Sequence, residues 1–283
     1  MINTSVMPAM KSRPTISVLM AVYNASENYL DAAITSIIQQ SNPDFEFIIV
    51  DDGSDISTSD QLRMWADRDR RIRLHKLSSN VGLTKALNAG LQLVRGDYLA
   101  RQDADDISGP RRLEAQLKFL TLNPQVDAVG TDAILIDVSG NKIGDMKIDP
   151  KLQELSRRNL LVHGSMLFRR RVFDLLSGYD ERMFLSQDYE LYLRMLRLHE
   201  MRIGVLSEAH YRLRQHSASL SSRRVFRQLY YSVLAKSLTE LHKSRFGSEF
   251  HFLKTLFIDF CFTHRLLLGH IVRSYLAKVV KTK

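Results

Sequence analysis

The sequence predicts an α/β fold, in which a mostly parallel central sheet is flanked by helices and followed by a C-terminal helical appendage. Over the first hundred residues, apolar segments of about five to seven residues alternate with helical segments of about twelve. That alternation is typical of parallel strands joined by crossover helices. The apolar segments also lack polar/apolar alternation, which indicates strands buried on both faces.

The elements follow one another without an internal repeat. In the first half we predict strand 16–22, helix 29–40, strand 45–50, helix 62–69, strand 72–76, helix 83–94 and strand 97–101. In the second half we predict a helix near 111–122, a strand at 127–136, a hairpin at 139–144, a buried segment at 163–168, a helix at 188–198 and strands at 202–206 and 209–213. Several helices are predicted after residue 225.

Charge divides the chain into a neutral main part and a basic tail. We expect a disordered leader at 1–13, one α/β domain at 14–222, and a basic, apolar helical tail at 223–283 that begins after a Ser-rich stretch. The tail carries twelve Lys and Arg against three Asp and Glu, so it holds the whole net charge of +9. A neutral main domain argues against a nucleic-acid groove, and we expect no nucleic-acid partner.

Composition also indicates a compartment. Cys261 is the one cysteine, so an internal disulfide is excluded and a reducing environment fits best. The N-terminal residues lack the apolar core of a secretory signal, and no run of 18 uncharged apolar residues is present. We therefore expect a cytoplasmic protein.

An acidic turn follows the strand at 97–101. Asp103 and Asp105 lie on this turn, at the carboxyl end of a strand, where ligands bind in open α/β sheets. Paired carboxylates suit a hard cation such as Mg²⁺ or Mn²⁺ that leaves positions open for phosphate. The alternative is an acidic loop that caps the next helix.

Two further strand ends converge on the same edge. Asp52, in the Asp-Asp-Gly-Ser stretch after strand 45–50, can accept hydrogen bonds from a base and a ribose. The alternative for the whole stretch 51–54 is an Asx-turn in which Gly53 supplies a positive φ. Residues 80–83 can likewise form a simple turn, or can let the backbone approach a nucleotide at Gly82.

Asp188 is the candidate base. It lies at the start of a predicted helix, where the helix dipole and capping stabilise a carboxylate. In a functional role it would take the proton from an acceptor hydroxyl. Glu190 is the nearby competitor.

These segments together resemble the family 2 glycosyltransferases. The matching segments are ISVLMAVYN, IIVDDGSD, NVGLTKALN, DYLARQDADD, HGSMLFRR and SQDYELYLR, in that order, and the resemblance covers roughly residues 14–220. It implies a GT-A (nucleotide-diphospho-sugar transferase) fold for the domain at 14–222, and transfer of a sugar from a nucleotide-sugar donor with inversion.

The resemblance also assigns roles to residues. A nucleobase pocket would be lined by Ala21, Tyr23 and Asp52, and Gly82 would approach the nucleotide. Asp103 would contact the ribose and the metal, and Asp105 would be the main metal ligand. Asp188 would deprotonate the acceptor. The metal would be Mn²⁺ or Mg²⁺.

Three segments depart from, or extend, the family pattern. The first strand ends in AVYN where the family often has PVYN, and Gln187 precedes the base where the family usually has Glu. His216 lies in YRLRQHSAS, where the resemblance implies contact with the metal or the diphosphate; a surface or capping role is the alternative. His163 is expected to support the acceptor wall.

The substrates and the tail remain open. The family implies a donor that most often carries uridine, and the acceptor is a saccharide or lipid-linked saccharide. The tail at 249–280 has an imperfect amphipathic pattern. It can bind an anionic membrane surface at the inner face of the cell membrane, or pack on the catalytic domain or on a second copy in a homo-oligomer. Synthesis of a bacterial surface polysaccharide or lipopolysaccharide would suit the membrane alternative.

Two rival functions have different signatures. A nucleotidyltransferase would carry a Gly-rich, basic phosphate loop after the first strand, whereas this chain has YNASENYL there. A nucleotide-binding scaffold that had lost activity would be expected to lack Asp105 or Asp188. A retaining mechanism is the third alternative, and the placement of Asp188 favours inversion.

Overall fold

The computed structural model describes residues 13–149, 151–152, 154–155, 158–215, 231–236 and 239. The strands are β1 (Ile16–Val22), β2 (Phe45–Asp51), β3 (Ile72–Lys76), β4 (Tyr98–Arg101), β5 (Ile107–Ser108), β6 (Ala128–Ile136), β7 (Lys142–Met146), β8 (Leu167–Arg169) and β9 (Ile203–Arg214). The helices are α1 (Glu27–Ile38), α2 (Ile56–Arg68), α3 (Leu83–Leu91), α4 (Arg112–Leu122), α5 (Arg171–Leu176) and α6 (Gln187–Leu198), and a single 3₁₀ turn spans His163–Ser165.

One sheet runs through the described part of the chain. Its strand order is β3–β2–β1–β4–β8–β6–β9–β5, and β7 pairs with the end of β6. The first four strands are parallel, with β1 between β2 and β4. Beyond them the sheet is mixed, because β8 runs antiparallel to β4 and β6, whereas β6 and β9 are parallel. The carboxyl ends of β1, β2 and β4 therefore share one edge.

Apolar cores cover both faces of this sheet. Along β1, Val18 and Met20 belong to the core that contains α1, α2 and α4, whereas Leu19 belongs to the core that contains α3, α5 and α6. All three side chains are fully buried. Burying one such side chain contributes about 1.5–3 kcal/mol, so the two cores fix the strands and the loops that follow them.

A buried carboxylate ties the strands together at the opposite, amino-terminal edge. Glu46 in β2 accepts hydrogen bonds from the Ser17 hydroxyl at 2.6 Å, the Arg73 guanidinium at 2.7 Å and the Arg95 backbone amide at 2.8 Å. Burial alone raises the pKa of Glu46, but these hydrogen bonds outweigh it, and the pKa lies below its usual value. Glu46 thus joins β1, β2, β3 and the chain before β4.

Several boundaries differ from those that the sequence predicts. Helix α2 begins at Ile56 instead of 62, because the Asp55 carboxylate accepts a hydrogen bond from the Thr58 amide at 2.9 Å and caps a polar first turn. Strand β9 is continuous where two strands are predicted, and its register against β6 shifts on either side of Asp132. Strand β5 and helix α5 are not predicted, since neither is long enough to show periodicity.

The described part of the tail packs on the α/β domain. Within residues 231–236, Tyr231, Leu234 and Ala235 are buried in the same core as α6. Tyr231 makes an edge-to-face contact with Phe184, with 6.3 Å between ring centroids. The rest of 223–283, apart from Thr239, lies outside the described residues, and so does the amphipathic segment at 249–280. No helix in the described residues is long and apolar enough to cross a bilayer.

Candidate active site

The sheet brings three predicted site segments to one edge. Val22 at the end of β1 is paired with Asp51 of β2, and Leu19 is paired with Arg101 of β4. The segments that follow these strands carry Tyr23, Asp52 and Asp103. Because the strands are parallel, all three segments leave the sheet on the same side.

Asp51 holds the turn after β2. Its buried carboxylate accepts the Ser54 amide at 2.8 Å and the Ser59 hydroxyl at 2.6 Å, which is the Asx-turn considered from the sequence. Burial by itself raises the pKa of Asp51, but these hydrogen bonds and the charge of Lys76 lower it below its usual value. Gly53 has a φ of +69°, and a Cβ there would lie 2.6 Å from the Asn80 nitrogen.

Asp52 holds the loop before α3. Its buried carboxylate accepts the Asn80 side-chain amide at 3.0 Å, the Val81 backbone amide at 2.8 Å and the Gly82 backbone amide at 2.9 Å. Gly82 has a φ of +92°, and a Cβ there would meet nothing within 4 Å. The Asp52 carboxylate thus supports a glycine that faces open space at the site edge. Its contact with a nucleobase stays a prediction, as does that of Ala21.

Tyr23 is the exposed aromatic side chain at this edge. Its side chain is 52% exposed, directly after β1. The next residue, Asn24, has a φ of +45° and is held by two hydrogen bonds, from its own amide to the Ser54 hydroxyl and from the Asp55 amide to its side-chain oxygen. A fixed backbone that presents an exposed ring suits stacking on a planar base.

Asp103 is anchored by a buried guanidinium. The Arg101 side chain is 1% exposed and forms an ion pair with Asp103. The same guanidinium donates to the carbonyls of Leu19 and Gln102, each at 2.7 Å. The Asp103 amide donates to the Tyr211 hydroxyl at 3.3 Å. The Asp103 side chain is nevertheless 35% exposed, so Arg101 fixes its carboxylate while the carboxylate stays accessible to a ligand.

Gly164 packs against this aspartate. A Cβ at Gly164 would lie 2.7 Å from Asp103 Oδ2 and 2.7 Å from Tyr211 Cζ. The Gly164 carbonyl accepts a hydrogen bond from Arg112, whose guanidinium also donates to the Arg101 carbonyl. Arg112 is fully buried, and burial lowers its pKa to about 10. The 3₁₀ turn therefore forms a wall on one side of Asp103.

The rest of the acidic turn is tied to β9. The Gln102 side-chain amide donates to the Asp106 carbonyl at 3.0 Å, and its side-chain oxygen accepts from the Ser108 hydroxyl at 2.6 Å. The buried Asp106 carboxylate accepts the Arg214 amide at 2.7 Å. Arg214 also donates from its side chain to the Asp105 carbonyl at 2.8 Å. These contacts fix the turn whose Asp103 and Asp105 side chains reach its surface.

The two carboxylates suit a divalent cation. Asp103 and Asp105 are partly exposed neighbours on one turn, and burial together with the Asp105 charge raises the pKa of Asp103, against the opposing charge of Arg101. A bound cation would relieve this repulsion, and hard oxygen ligands match Mg²⁺ or Mn²⁺. In the described residues, no three His, Cys, Asp or Glu side chains form a metal site. The third predicted ligand, His216, lies outside the described residues.

Asp188 lies in the first turn of α6. Its carboxylate is partly exposed and accepts the Asn159 side-chain amide at 2.7 Å. Burial raises the pKa of Asp188, and the charge of Asp103 raises it further, whereas hydrogen bonds from the Tyr189 amide and Asn159 lower it. The net effect is a pKa above that of an ordinary aspartate. Such a carboxylate is a better proton acceptor than an ordinary aspartate.

Glu190 has a different environment. It is 2% exposed, and it accepts a hydrogen bond from Arg194 at 2.7 Å, one turn further along α6. Oε1 of Glu190 is thus paired with Arg194, and the side chain is too buried to meet an acceptor molecule. Of the two carboxylates, Asp188 is therefore the one that is partly exposed, and its role as a base stays a prediction.

Comparison with known proteins identifies the family. The family model described as Glycosyl transferase family 2 matches residues 17–176, which is more than half of the chain. The chain belongs to this family. It is also 32% identical over 252 residues to the O-antigen biosynthesis glycosyltransferase WbnJ of Escherichia coli, and the alignment covers 85% of this chain and 96% of that protein. The family resemblance noted in the sequence is confirmed, and the chain is a glycosyltransferase.

Two solved structures share its architecture. TarS residues 1–349 of S. aureus, solved in complex with UDP, match with a TM-score of 0.62 at 17% identity, over 88% of this chain and 72% of that chain. The mannosyltransferase PcManGT of Pyrobaculum calidifontis, solved with GDP-Man and Mn²⁺, matches with a TM-score of 0.63 at 16% identity, over 97% and 78%. The GT-A fold predicted from the sequence is confirmed.

In this glycosyltransferase, two tyrosines that the sequence did not predict, Tyr179 and Tyr192, enclose the predicted His163. His163 is buried between two tyrosine hydroxyls, with Nδ1 2.7 Å from Tyr192 and Nε2 2.8 Å from Tyr179. Burial holds the pKa of His163 well below its usual value, so the ring is neutral. This places His163 inside the wall beside the site, whereas its predicted link to the acceptor is not tested. His216 lies outside the described residues.

Proposed function

We propose that this family 2 glycosyltransferase moves a sugar from a nucleotide-diphosphate donor, with uridine favoured, to an acceptor hydroxyl with inversion at the anomeric carbon. The observation that carries the proposal is the arrangement of two kinds of carboxylate. Asp103 and Asp105 lie on the strand-end turn that suits a metal-bound diphosphate, and Asp188 is a partly exposed carboxylate close enough for the Asp103 charge to raise its pKa. TarS binds UDP and PcManGT binds GDP-Man with Mn²⁺, which supports donors of this class.

The donor would lie along the carboxyl edge of β1, β2 and β4. Tyr23 offers a ring for the base, and Gly82 lets the backbone approach without a side chain. Asp103, fixed by Arg101, presents an oxygen to the ribose, and Asp103 and Asp105 would hold the Mn²⁺ or Mg²⁺. The cation would neutralise charge that develops on the leaving diphosphate.

The transfer would be a single displacement. The Asp188 carboxylate accepts the acceptor proton, the acceptor oxygen forms a bond to the anomeric carbon, and the bond from that carbon to the diphosphate oxygen breaks. One base opposite the leaving group suffices for this reaction, which inverts the anomeric centre. Because Glu190 is held by Arg194 inside the protein, Asp188 is the carboxylate of α6 that can serve.

The relatives support a proposal for the pathway, and the basic tail supports one for the location. WbnJ is an O-antigen biosynthesis glycosyltransferase, and a second relative, of Myxococcus xanthus, is an O-antigen biosynthesis protein. We assign this chain to surface-polysaccharide or lipopolysaccharide synthesis, with a saccharide or lipid-linked saccharide acceptor. The basic tail would place a cytoplasmic enzyme at the inner face of the membrane or join two copies.

The test is release of nucleoside diphosphate from a panel of UDP-, GDP- and dTDP-sugars. We expect one donor to be hydrolysed slowly with Mn²⁺ or Mg²⁺, and the reaction to stop with EDTA and in Asp105→Ala. The matched control is Asp97→Ala, because Asp97 lies at the other end of the chain segment that forms β4 and its side chain is 69% exposed. Metal-independent turnover, or equal loss in both variants, would contradict the proposal.

A further inference from the structure

One short segment connects the two halves of the proposed site. Asn159 at its start donates to Asp188 Oδ2 at 2.7 Å, and Gly164 near its end packs against Asp103 Oδ2. Between them, His163 is hydrogen-bonded to Tyr192, one helical turn beyond Asp188 on α6. The placement of the base relative to the donor-side aspartate therefore depends on residues 159–164.

Asn159 is oriented for this contact. Its side-chain oxygen accepts the Leu161 backbone amide at 3.2 Å, so the amide nitrogen is the group that faces Asp188. The opposite orientation would bring the Asn159 oxygen against a carboxylate oxygen, with no proton between them. The short local turn thus determines which atom meets the carboxylate.

The hydrogen bond also distinguishes the two oxygens of the base. Oδ2 accepts the Asn159 side-chain amide, and backbone amides at the start of α6 also hydrogen-bond the carboxylate, so the two oxygens have different surroundings. We propose that Asn159 is the positioning residue of the base, orienting the Asp188 carboxylate so that one defined oxygen meets the acceptor hydroxyl. This inference rests on the proposed function, in which Asp188 is the base.

Several groups act on the charge of Asp188, and the hydrogen bond from Asn159 is the one that a substitution can remove most cleanly. Asp188 interacts with Asp103 from the turn after β4, with Tyr179 from the loop after α5, and with Tyr192 from α6 itself. Asp103 disfavours the ionised form by like charge. Asn159 opposes this effect, because a donor favours a carboxylate over a carboxylic acid.

Two substitutions separate hydrogen bonding from shape. Asn159→Ala removes the donor, and Asn159→Asp keeps the shape but replaces the donor with an acceptor that carries negative charge. The matched control is Asn141→Ala, which removes a similar exposed contact, from the Asn141 amide to Asp137 Oδ2 at 3.2 Å, in the β6–β7 hairpin.

The first measurement needs no substrate. Carboxyl ¹³C NMR titration of the full chain, with Asp188→Asn to assign the resonance, follows the pKa of Asp188. We expect Asn159→Ala to raise it by about one pH unit, Asn159→Asp to raise it further, and Asn141→Ala to leave it unchanged. An unchanged Asp188 pKa in both Asn159 variants would overturn the inference, whether or not a donor has been found.

The second measurement uses the donor from the panel, and UDP as the binding probe. We expect turnover to fall about tenfold in Asn159→Ala, which is typical for a lost hydrogen bond to a charged group, and further in Asn159→Asp, while UDP binding stays unchanged. The acid limb of the rate profile should move to higher pH. Equal turnover of wild type and Asn159→Asp would overturn the inference while leaving the base role of Asp188 intact. If Asp188→Asn transferred the sugar as fast as wild type, the proposed function itself would be contradicted, and the inference about Asn159 with it.

Discussion

Adding one methyl group at Gly164 should disturb the donor side of the site. The new Cβ would lie 2.7 Å from Asp103 Oδ2, whereas carbon–oxygen contacts begin at about 3.3 Å, and 2.7 Å from Tyr211 Cζ. Tyr211 is fully buried, so it cannot move aside cheaply. Gly164 does not have a positive φ, so the effect is steric and not one of backbone strain.

The expected magnitude follows from overpacking. Forcing a methyl group into a filled core costs about 1–3 kcal/mol, which lowers the melting temperature by roughly 2–12 °C for a domain of about 200 residues. Displacing Asp103 by at least about 0.6 Å should also lower turnover, because misplacement of about 1 Å can cost roughly 100-fold. We expect a 10- to 100-fold loss.

The assay pairs thermal melting with nucleoside diphosphate release. Gly144→Ala is the matched control, because a Cβ there would meet its nearest atom, on Leu135, at an ordinary 3.5 Å. If Gly164→Ala melted at a lower temperature but kept full turnover, the contact would be structural and would not set the position of Asp103. If it changed neither property, the packing described around Asp103 would be wrong.

Three further substitutions test other parts of the structure. Glu46→Gln should lower the free energy of unfolding in urea at pH 7 by about 1–3 kcal/mol. Because the pKa of Glu46 is lowered in the folded state, the difference between the variant and wild type should shrink as pH falls through that pKa. Gly53→Ala should destabilise by about 1–3 kcal/mol in the same assay, since Gly53 combines a positive φ with a close backbone contact. Glu190→Gln should lower stability while retaining at least about a tenth of wild-type turnover, well above Asp188→Asn, since the Glu190 partner is Arg194; comparable losses of turnover would contradict our choice of base.

The strands of the first half were predictable because their signal is local. Strands β1 and β3 have the predicted bounds, since each is a segment whose residue types favour a strand whatever lies around it. The start of α2 was not predictable from apolar periodicity, because its first turn is polar and is stabilised by capping at Asp55. Strand β5 depends on pairing with β9, about a hundred residues away, so no local pattern reveals it.

The sequence predicted which strand ends carry the site residues, but it did not predict the contacts that hold those residues. Parallel strands place Asp52 and Asp103 on one edge whatever their side chains contact, so their convergence follows from topology. The contacts that hold them do not, since Asp188 meets Asn159 from 29 residues away and Asp103 meets Tyr211 from 108 residues away. No spacing rule links such pairs. Asp52 shows the difference, because its carboxylate binds the backbone of the next loop.

The central claim is that Asp188 is the base of a metal-dependent transfer, and Asp188→Asn tests it most directly. With the donor from the panel and Mn²⁺, we would measure donor affinity by calorimetry and nucleoside diphosphate release on the same samples. We predict that affinity stays within about threefold of wild type, while release falls at least about 100-fold, as loss of a general base requires. Turnover close to that of wild type, with unchanged affinity, would contradict the claim.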